Sequence, residues 1–321
     1  MSQSNLPKSL IVLAVALIST ALCLSASYAY CVQTDTNKSN SGDIGAARKH
    51  APSQHEHALP SMFRKGNVYL NVAINDHPGV WMMLDTGTSD SMIDSDYANT
   101  IGLKLVQKSE GTGGFGSMKA VTFTTENVNL QIGVEPGNVV FFESIRLSGM
   151  VGPDGIQVAG LLGHSFLDKH VIVIDYKKQE VYFDDTILPA NERDIAITLL
   201  EGVPVVILRM ANKSVSALID SGGSYGVIIT PNTVRELGVE SFMADATPTG
   251  TVGHGDEQHI VVGKAPPFSV GDIEVLDMSA AYTTFGTASD ALTVGASLGI
   301  NFLKNYKLTL NYAANTVRFE P

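Results

Sequence analysis

An internal repeat constrains this chain more than any other feature of its sequence. Residues 82–87 (MMLDTG) match residues 217–222 (ALIDSG) at an offset of 135 positions. Farther along, residues 162–167 (LGHSFL) match residues 298–303 (LGINFL) at an offset of 136 positions. Because the matching segments recur in the same order, the sequence predicts two copies of one fold within the 321 residues.

The segments between these matches are short apolar runs broken by Gly, Pro and Asn. Residues 68–74 (VYLNVAI) and 171–174 (VIVI) are examples. Short runs rich in β-branched and aromatic residues, separated by turn residues, are typical of strands. We therefore predict an all-β, or mainly β, fold.

Each copy also contains the signals of one short helix. In the second copy, Thr230 is suited to cap the helix, Pro231 to its first position and Gly238 to its end. In the first copy, Asp94 or Asp96 is suited to the capping position. We expect both helices to be accessory to a β scaffold.

The N-terminal sixty residues differ from the rest of the chain. A long apolar run ends in small residues at Ser27 and Ala29, which is the layout of a signal peptide. We predict a signal peptide over residues 1–29, with an uncleaved N-terminal anchor as the alternative, and hence an exported, periplasmic or secreted protein. Residues 30–60 are polar and without periodicity, which predicts a disordered linker. The two lobes are then residues 61–190 and 195–321.

Charge and cysteine content restrict the partners and the cross-links. The chain has 21 Lys and Arg against 32 Asp and Glu, a formal net charge of -11. Such an acidic chain does not favour the phosphate contacts on which nucleic-acid binding depends. Its cysteines are Cys23 and Cys31, so cleavage after residue 29 would leave one cysteine and no internal disulfide.

The strongest chemical signal is a pair of triplets at equivalent positions of the repeat, residues 85–87 (DTG) and 220–222 (DSG). A single triplet of this kind is typical of an Asx turn. Two copies related by a pseudo-twofold axis would instead bring Asp85 and Asp220 together. Carboxyl groups about 3 Å apart cannot both ionise, so they share a proton and can act together as acid and base. The sequence does not assign one role to either residue.

These triplets resemble the signature of the pepsin-like and retropepsin-like aspartic proteases. The resemblance extends over residues 61–321 and includes residues 161–163 (LLG) and 297–299 (SLG), which are similar to the second motif of that family. Ser297 departs from the motif, because an apolar residue is usual there. The resemblance implies two pseudo-twofold-related β-barrel lobes and hydrolysis of peptide or protein substrates. It implies no cofactor, no metal and a monomer, since one chain supplies both halves.

The resemblance also implies roles for the residues beside the two aspartates. Thr86 and Ser221 would join the two loops through hydroxyl-to-backbone hydrogen bonds. Thr88 could bond the outer oxygen of Asp85, whereas Gly223 lacks a hydroxyl at the equivalent place and Ser224 could substitute for it. The predicted loop support comprises Thr86, Gly87, Thr88, Ser221, Gly222 and Ser224.

A glycine-rich segment at residues 111–116 (GTGGFG) satisfies the dinucleotide-binding pattern. That pattern requires a following helix, and strand-like residues 120–125 follow instead. We therefore interpret the segment as a hairpin that closes over substrate, a flap, with residues 250–255 as its counterpart. The predicted flap residues are Gly113, Gly114, Phe115, Gly116, Gly253, His254 and Gly255.

Three functions are compatible with this pattern. The first is an aspartic endopeptidase. The second is a noncatalytic module that binds peptide or polysaccharide on the same two-lobed fold, since a fold does not fix a function. The third is a protease of narrow specificity that processes its own N-terminal tether.

Overall fold

The structure is a computed structural model. It describes residues 58–112, 119–133, 138–140, 142–145, 147, 155, 157–184, 191–243, 246–251, 259–283 and 294–321. The predicted signal peptide and nearly all of the predicted linker lie outside these ranges. Within them, no helix has both the length and the apolar character needed to cross a membrane.

The N-terminal lobe is built on one ten-stranded sheet. The strands run in the spatial order β5-β6-β9-β4-β10-β3-β2-β7-β8, with β1 paired to β2. The strands of this lobe are β1 (Ser61–Arg64), β2 (Asn67–Ile74), β3 (His77–Leu84), β4 (Met92–Asp94), β5 (Leu105–Thr112), β6 (Lys119–Thr125), β7 (Val128–Ile132), β8 (Asn138–Val140), β9 (Glu143–Ile145) and β10 (Val158–Leu162).

The C-terminal lobe repeats this sheet strand for strand. Its order is β18-β19-β22-β17-β23-β16-β15-β20-β21, with β14 paired to β15. The remaining strands of the chain are β11 (Val171–Asp175), β12 (Glu180–Phe183), β13 (Ile195–Ala196), β14 (Thr198–Leu200), β15 (Val203–Met210), β16 (Lys213–Ile219), β17 (Val227–Ile229), β18 (Thr247–Thr251), β19 (His259–Lys264), β20 (Phe268–Val270), β21 (Ile273–Val275), β22 (Ser279–Thr283), β23 (Ala296–Leu298), β24 (Lys307–Asn311) and β25 (Thr316–Glu320). The prediction of two similar β lobes is confirmed.

A third sheet joins the two halves of the chain. It has the order β12-β11-β24-β25-β13, so strands from both copies of the repeat pair with each other. Strands β11 and β24 are antiparallel, and Val173 lies opposite Thr309, its equivalent 136 positions later. An antiparallel pair in which equivalent residues face each other places the pseudo-twofold axis between these two strands.

The helices are short, as expected, but the described residues of each lobe contain two α-helices where the sequence predicts one. They are α1 (Ser95–Thr100), α2 (His164–Leu167), α3 (Pro231–Leu237) and α4 (Ile300–Leu303), with a 3-10 turn at Glu240–Met243. Asp94, not Asp96, caps α1, because its side chain accepts hydrogen bonds from the backbone N–H groups of residues 96 and 97. Thr230 caps α3, and Gly238 ends it in the left-handed conformation.

Successive side chains of the central strands point to opposite faces of each lobe's sheet, and both faces are buried. One face belongs to the main core, which includes Leu84 and Leu162 in the first lobe and Ile219 and Leu298 in the second. The opposite face of each sheet has a smaller apolar cluster. In the first lobe the cluster consists of Met62, Tyr69, Met83, Met92, Leu147, Val158 and Leu161, with Trp81 packed against it. In the second lobe it consists of Val203, Val205, Leu218 and Val294, with Leu200 packed against it.

Candidate active site

Asp85 and Asp220 each follow the last residue of a central strand, β3 and β16 respectively. The sheet ladder continues through both, because the Asp85 N–H donates to the carbonyl of Leu162 (3.0 Å) and the Asp220 N–H to that of Leu298 (2.9 Å). Both residues are buried, with 0% and 2% of their surface exposed. Rigid strands therefore hold both carboxyl groups.

The glycines of the second motif allow the loop that carries each aspartate to pass close to the end of the neighbouring strand. A Cβ on Gly163 would lie 2.6 Å from the carbonyl oxygen of Asp90. A Cβ on Gly299 would lie 2.4 Å from the carbonyl oxygen of Tyr225. No side chain fits at these distances, which is why the apolar pair in each copy is followed by glycine.

Thr86 and Ser221 connect the two lobes through four hydrogen bonds. The Thr86 N–H donates to the Ser221 hydroxyl (3.0 Å), and the Ser221 N–H donates to the Thr86 hydroxyl (3.0 Å). In turn, the Thr86 hydroxyl donates to the carbonyl of Ile219 (2.7 Å), and the Ser221 hydroxyl donates to the carbonyl of Leu84 (2.8 Å). The reciprocal pattern fixes the two loops against each other at the pseudo-twofold axis.

The glycines of the triplets bind and crowd the carboxyl groups. The Gly87 N–H donates to Asp85 Oδ1 and the Gly222 N–H to Asp220 Oδ1, each at 2.9 Å. A Cβ on Gly222 would lie 2.7 Å from the carboxyl carbon of Asp85, so the backbone of one lobe contacts the carboxyl group of the other. Within the described ranges, no three His, Cys, Asp or Glu side chains are grouped so as to hold a metal ion.

The environment of Asp85 favours its protonated form. Burial raises the pKa of Asp85 well above its usual 3.8, and the negative charge of Asp220 and a hydrogen bond between the two carboxyl groups raise it further. The Gly87 N–H opposes this shift. Asp85 Oδ2 is buried, and no N–H or O–H group of the described residues donates to it. A proton held by the pair would satisfy that oxygen, as expected of coupled carboxyls.

The outer loop residues differ between the lobes. The Thr88 hydroxyl donates to the carbonyl of Asp90 (3.2 Å), so it is committed to its own loop rather than to the Asp85 carboxyl group. In the second lobe, a Cβ on Gly223 would lie 2.9 Å from Asp220 Oδ2. The carbonyl of Ser224 accepts a hydrogen bond from the Asn301 side chain (3.2 Å). Thr88 therefore shapes its loop rather than bonding the Asp85 carboxyl group.

The structure describes the stems of the two predicted flaps. Strands β5 and β6 pair antiparallel as far as Thr112 and Lys119, and strands β18 and β19 as far as Thr251 and His259. The flap tips lie outside the described residues. They are Gly113, Gly114, Phe115, Gly116, Gly253, His254 and Gly255.

Two tyrosines that sequence reasoning missed lie close enough to the aspartates for their charges to interact. Burial raises the pKa of Tyr176, and the charge of Asp220 adds to the shift. Burial likewise raises the pKa of Tyr312, with the charge of Asp85 as the next cause. Both hydroxyl groups are buried and have no hydrogen-bond partner among the described residues. The two tyrosines are 136 positions apart, so the repeat itself was the available signal.

The comparison with protein-family models agrees with this geometry. A family model described as "Aspartyl protease" matches residues 70–166 and 203–302, the two regions that carry the paired triplets. No curated protein matches the chain. Among solved structures, basic 7S globulin from soybean aligns with 82% of this chain and 94% of its own, at 10% identity and a TM-score of 0.47. The family match spans more than half of the sequence, and the chain belongs to the aspartyl protease family.

Proposed function

We propose that the protein is an aspartic endopeptidase whose catalytic residues are Asp85 and Asp220. The observation that carries this proposal is the buried pair itself. Two carboxyl groups from equivalent loops are hydrogen-bonding neighbours, and the pKa of one of them is raised by burial and by the other. A dyad that holds one proton has both a base and an acid available at once.

In the proposed reaction, the carboxylate of the pair takes a proton from a water molecule as the water oxygen bonds to the peptide carbonyl carbon. The protonated carboxyl gives its proton to the carbonyl oxygen, which yields a neutral tetrahedral diol. The C–N bond then breaks as the nitrogen receives a proton from the dyad. The diol collapses to a carboxylic acid as one of its hydroxyl groups returns a proton to the dyad. The products are one new carboxyl terminus and one new amino terminus, and the dyad again holds one proton.

The contacts between the lobes support this role by holding the dyad rigid. Reacting groups displaced by about 1 Å can lose about a hundredfold in rate. The four bonds of Thr86 and Ser221 and the close approach of Gly222 to Asp85 restrict such displacements. The single chain supplies both aspartates, so we propose that it acts as a monomer on peptide or protein substrates.

The test is cleavage of a diverse peptide pool by residues 30–321, from about pH 3.5 to about pH 7.5, with new termini mapped by mass spectrometry. We expect cleavage by the parent and none by Asp85→Asn or Asp220→Asn. Asp175→Asn is a matched control, because Asp175 is a buried aspartate outside the dyad that accepts a backbone hydrogen bond from Lys178. Cleavage that survives in either dyad variant would refute the proposal. Peptide binding by a parent that cleaves nothing would favour the noncatalytic binding module.

We also propose that the protein acts after export, in the periplasm or as a secreted protein. The support is the apolar run and small residues of the predicted signal peptide, residues 1–29. Cell fractionation with mass measurement of the mature N-terminus tests this proposal. Processing inside residues 30–60 that disappears in Asp85→Asn would instead reveal cleavage by the protein itself.

A further inference from the structure

The core face of the third sheet carries two tyrosines at equivalent positions of the repeat. Tyr176 follows the last residue of β11, and Tyr312 follows the last residue of β24. Side chains two apart on a strand point to the same side. The main core accordingly contains the tyrosines together with alternate residues of both strands, Ile172, Ile174, Leu308 and Leu310. It also contains Leu84 and Ile219, which directly precede the two aspartates, so the tyrosines share one core with the strand ends that carry the dyad.

Tyr312 contacts the support of the Asp85 loop. Its ring lies edge-on to the His164 ring, with 5.1 Å between the ring centroids. His164 follows Gly163, and its backbone N–H donates to the Thr88 carbonyl in the Asp85 loop (2.9 Å). One residue, His164, therefore connects a tyrosine of the C-terminal half of the chain with the loop that carries the aspartate of the N-terminal lobe.

Tyr176 is the counterpart in the first copy of the repeat. Its ring lies edge-on to the Phe63 ring, with 5.9 Å between the centroids. The charge of Asp220 contributes to the raised pKa of Tyr176, as the charge of Asp85 does to that of Tyr312. Each tyrosine therefore lies within electrostatic range of the aspartate that belongs to the other copy.

Packing does not require either hydroxyl group. Both hydroxyls are buried and have no hydrogen-bond partner among the described residues. A buried polar group without a partner costs free energy, and phenylalanine would fill the same space without that cost. Both copies nevertheless have tyrosine here, although the residues just before them, Asp175 and Asn311, have diverged. The retained hydroxyls therefore call for a role other than packing.

The negative charge of the dyad provides such a role. A hydroxyl that no neighbouring group holds can rotate and direct its hydrogen toward a negative charge. Water does not screen this interaction in the core as it does at the surface. The charge of Asp220 acts on Tyr176, whereas those of Asp85 and Asp168 act on Tyr312, beside which the His164 ring is a further titratable group.

We infer that Tyr176 and Tyr312 are positioning residues whose hydroxyl groups stabilise the single negative charge of the dyad, an inference that rests on the proposed function of the two aspartates. Burial by itself favours a dyad in which both carboxyl groups are protonated, and such a dyad has no base. The N–H groups of Gly87 and Gly222 oppose this effect from within the loops. The tyrosine hydroxyls oppose it from the third sheet, each acting on the aspartate of the other copy.

The test is a carbon-13 titration of the aspartate carboxyl groups in residues 30–321, which does not depend on cleavage. Signals that disappear in Asp85→Asn or Asp220→Asn identify the dyad. We expect Tyr176→Phe and Tyr312→Phe each to raise the lower apparent pKa of the pair by about half a unit or more, because each removes a donor to the ionised form. The double variant should raise it by about the sum.

Tyr282→Phe is the matched control. It also removes a buried tyrosine hydroxyl, but that hydroxyl donates to the Lys264 carbonyl, and burial is the cause that raises the pKa of Tyr282. The control should leave the titration of the dyad unchanged. An unchanged or lowered pKa of the pair in both Tyr176→Phe and Tyr312→Phe would overturn the inference, and so would an equal rise in Tyr282→Phe.

Melting temperatures separate this role from a merely structural one. In solution acidic enough to protonate both carboxyl groups, Tyr176→Phe and Tyr312→Phe should melt at or above the temperature of the parent, because neither removes a hydrogen bond among the described residues. A lower melting temperature there, with an unmoved titration, would assign the hydroxyls to packing and overturn the inference. Peptide cleavage reports separately on the proposed function, and in an active parent the acid limb of kcat/KM should move to higher pH in both variants.

Discussion

The loops that carry the two aspartates, residues 85–91 and the equivalent residues 220–227, have the same framework and different surroundings. Both loops are joined to the adjacent helix by backbone hydrogen bonds. The His164 N–H donates to the Thr88 carbonyl, and the Ile300 N–H donates to the Gly223 carbonyl. The N–H of the next helix residue donates to the Ser89 carbonyl in the first lobe, where that residue is Ser165. In the second lobe the residue is Asn301, and its N–H donates to the Tyr225 carbonyl. The offset between equivalent residues thus rises from 135 to 136, and Ser224 is the additional residue of the second loop.

This comparison separates what the dyad requires from what it tolerates. The cross-lobe bonds and the glycine N–H donors are matched in the two loops, because each of them sets the position of a carboxyl group. Differences occur at positions whose side chains do not bond a carboxyl group, such as Thr88 against Gly223, Leu161 against Ser297 and His164 against Ile300. Symmetry is retained in the backbone, while side chains at the rim of the site have diverged.

The largest expected effect comes from making one half of the dyad neutral. Asp85→Asn should lower kcat/KM at least about a thousandfold, because an amide can neither accept nor supply the transferred proton. The same variant should be more stable than the parent at neutral pH. Burial and Asp220 raise the pKa of Asp85 above 3.8, so the folded state binds this proton more tightly than the unfolded state does. Stability from this group is therefore present at low pH and lost as pH rises through the folded pKa.

Urea denaturation across pH checks this linkage. The stability of the parent should fall relative to that of Asp85→Asn as pH rises from about 3.8, and the two should converge in more acidic solution. Asp220→Asn should behave alike if the titration belongs to the pair. A parent that gains stability over the variant with rising pH would show that Asp85 is not a protonated partner in the folded state.

The second expected effect concerns the cross-lobe bonds, which one lobe makes with threonine and the other with serine. Thr86→Val should cost about 2 to 5 kcal/mol of unfolding free energy, because it leaves the Ile219 carbonyl and the Ser221 N–H buried without their partner. Thr86→Ser keeps the hydroxyl and should cost less than about 1 kcal/mol. Equal stability of the valine and serine variants would refute a structural role for this hydroxyl.

The sequence predicted the strands, helix caps and paired aspartates better than the side-chain contacts around the carboxyl groups. The repeat, the strand class, the cap at Thr230 and the meeting of the two triplets all follow from local patterns that recur in order. For the first helix the sequence offered Asp94 or Asp96 as the cap, and the structure selects Asp94. The third sheet was not predicted, because pairing between β11 and β24 is a long-range contact with no local signature. The hydroxyl of Thr88 was expected at Asp85 but bonds the Asp90 carbonyl, a choice that depends on loop geometry rather than on residue type.

Alanine substitutions at the outer residues of the two loops, Gly223 and Thr88, sharpen the comparison between the loops. A Cβ at position 223 would lie 2.9 Å from Asp220 Oδ2, so Gly223→Ala should displace that carboxyl group and lower kcat/KM by about tenfold to a hundredfold. Thr88→Ala removes a hydroxyl that bonds only the carbonyl of Asp90 among the described residues and should cost less than about tenfold. Steady-state kinetics on one peptide compares the two variants. Equal losses would mean that the two carboxyl groups are equally sensitive to their outer neighbours.

The smallest expected effect concerns the contact of each short helix with the opposite lobe. A Cβ on Gly66 would meet Ile300, and a Cβ on Gly202 would meet the His164 ring, which also lies 5.1 Å from the ring of Tyr312. The helix residue in this contact is thus apolar in the C-terminal lobe, where it is Ile300, and titratable in the N-terminal lobe, where it is His164.

Burial lowers the pKa of His164 below 6.5, with the charge of Asp168 opposing the shift. The folded state then binds fewer protons at this residue than the unfolded state, so stability falls as pH drops through 6.5 and the lowered folded pKa. His164→Ile, which copies the residue of the other lobe, should flatten the dependence of unfolding free energy on pH in that window. Ile300→His should add a similar dependence on the opposite side. If the unfolding curves of His164→Ile and the parent stay parallel across that window, the contact does not sense protonation, and the divergence at this position concerns shape alone.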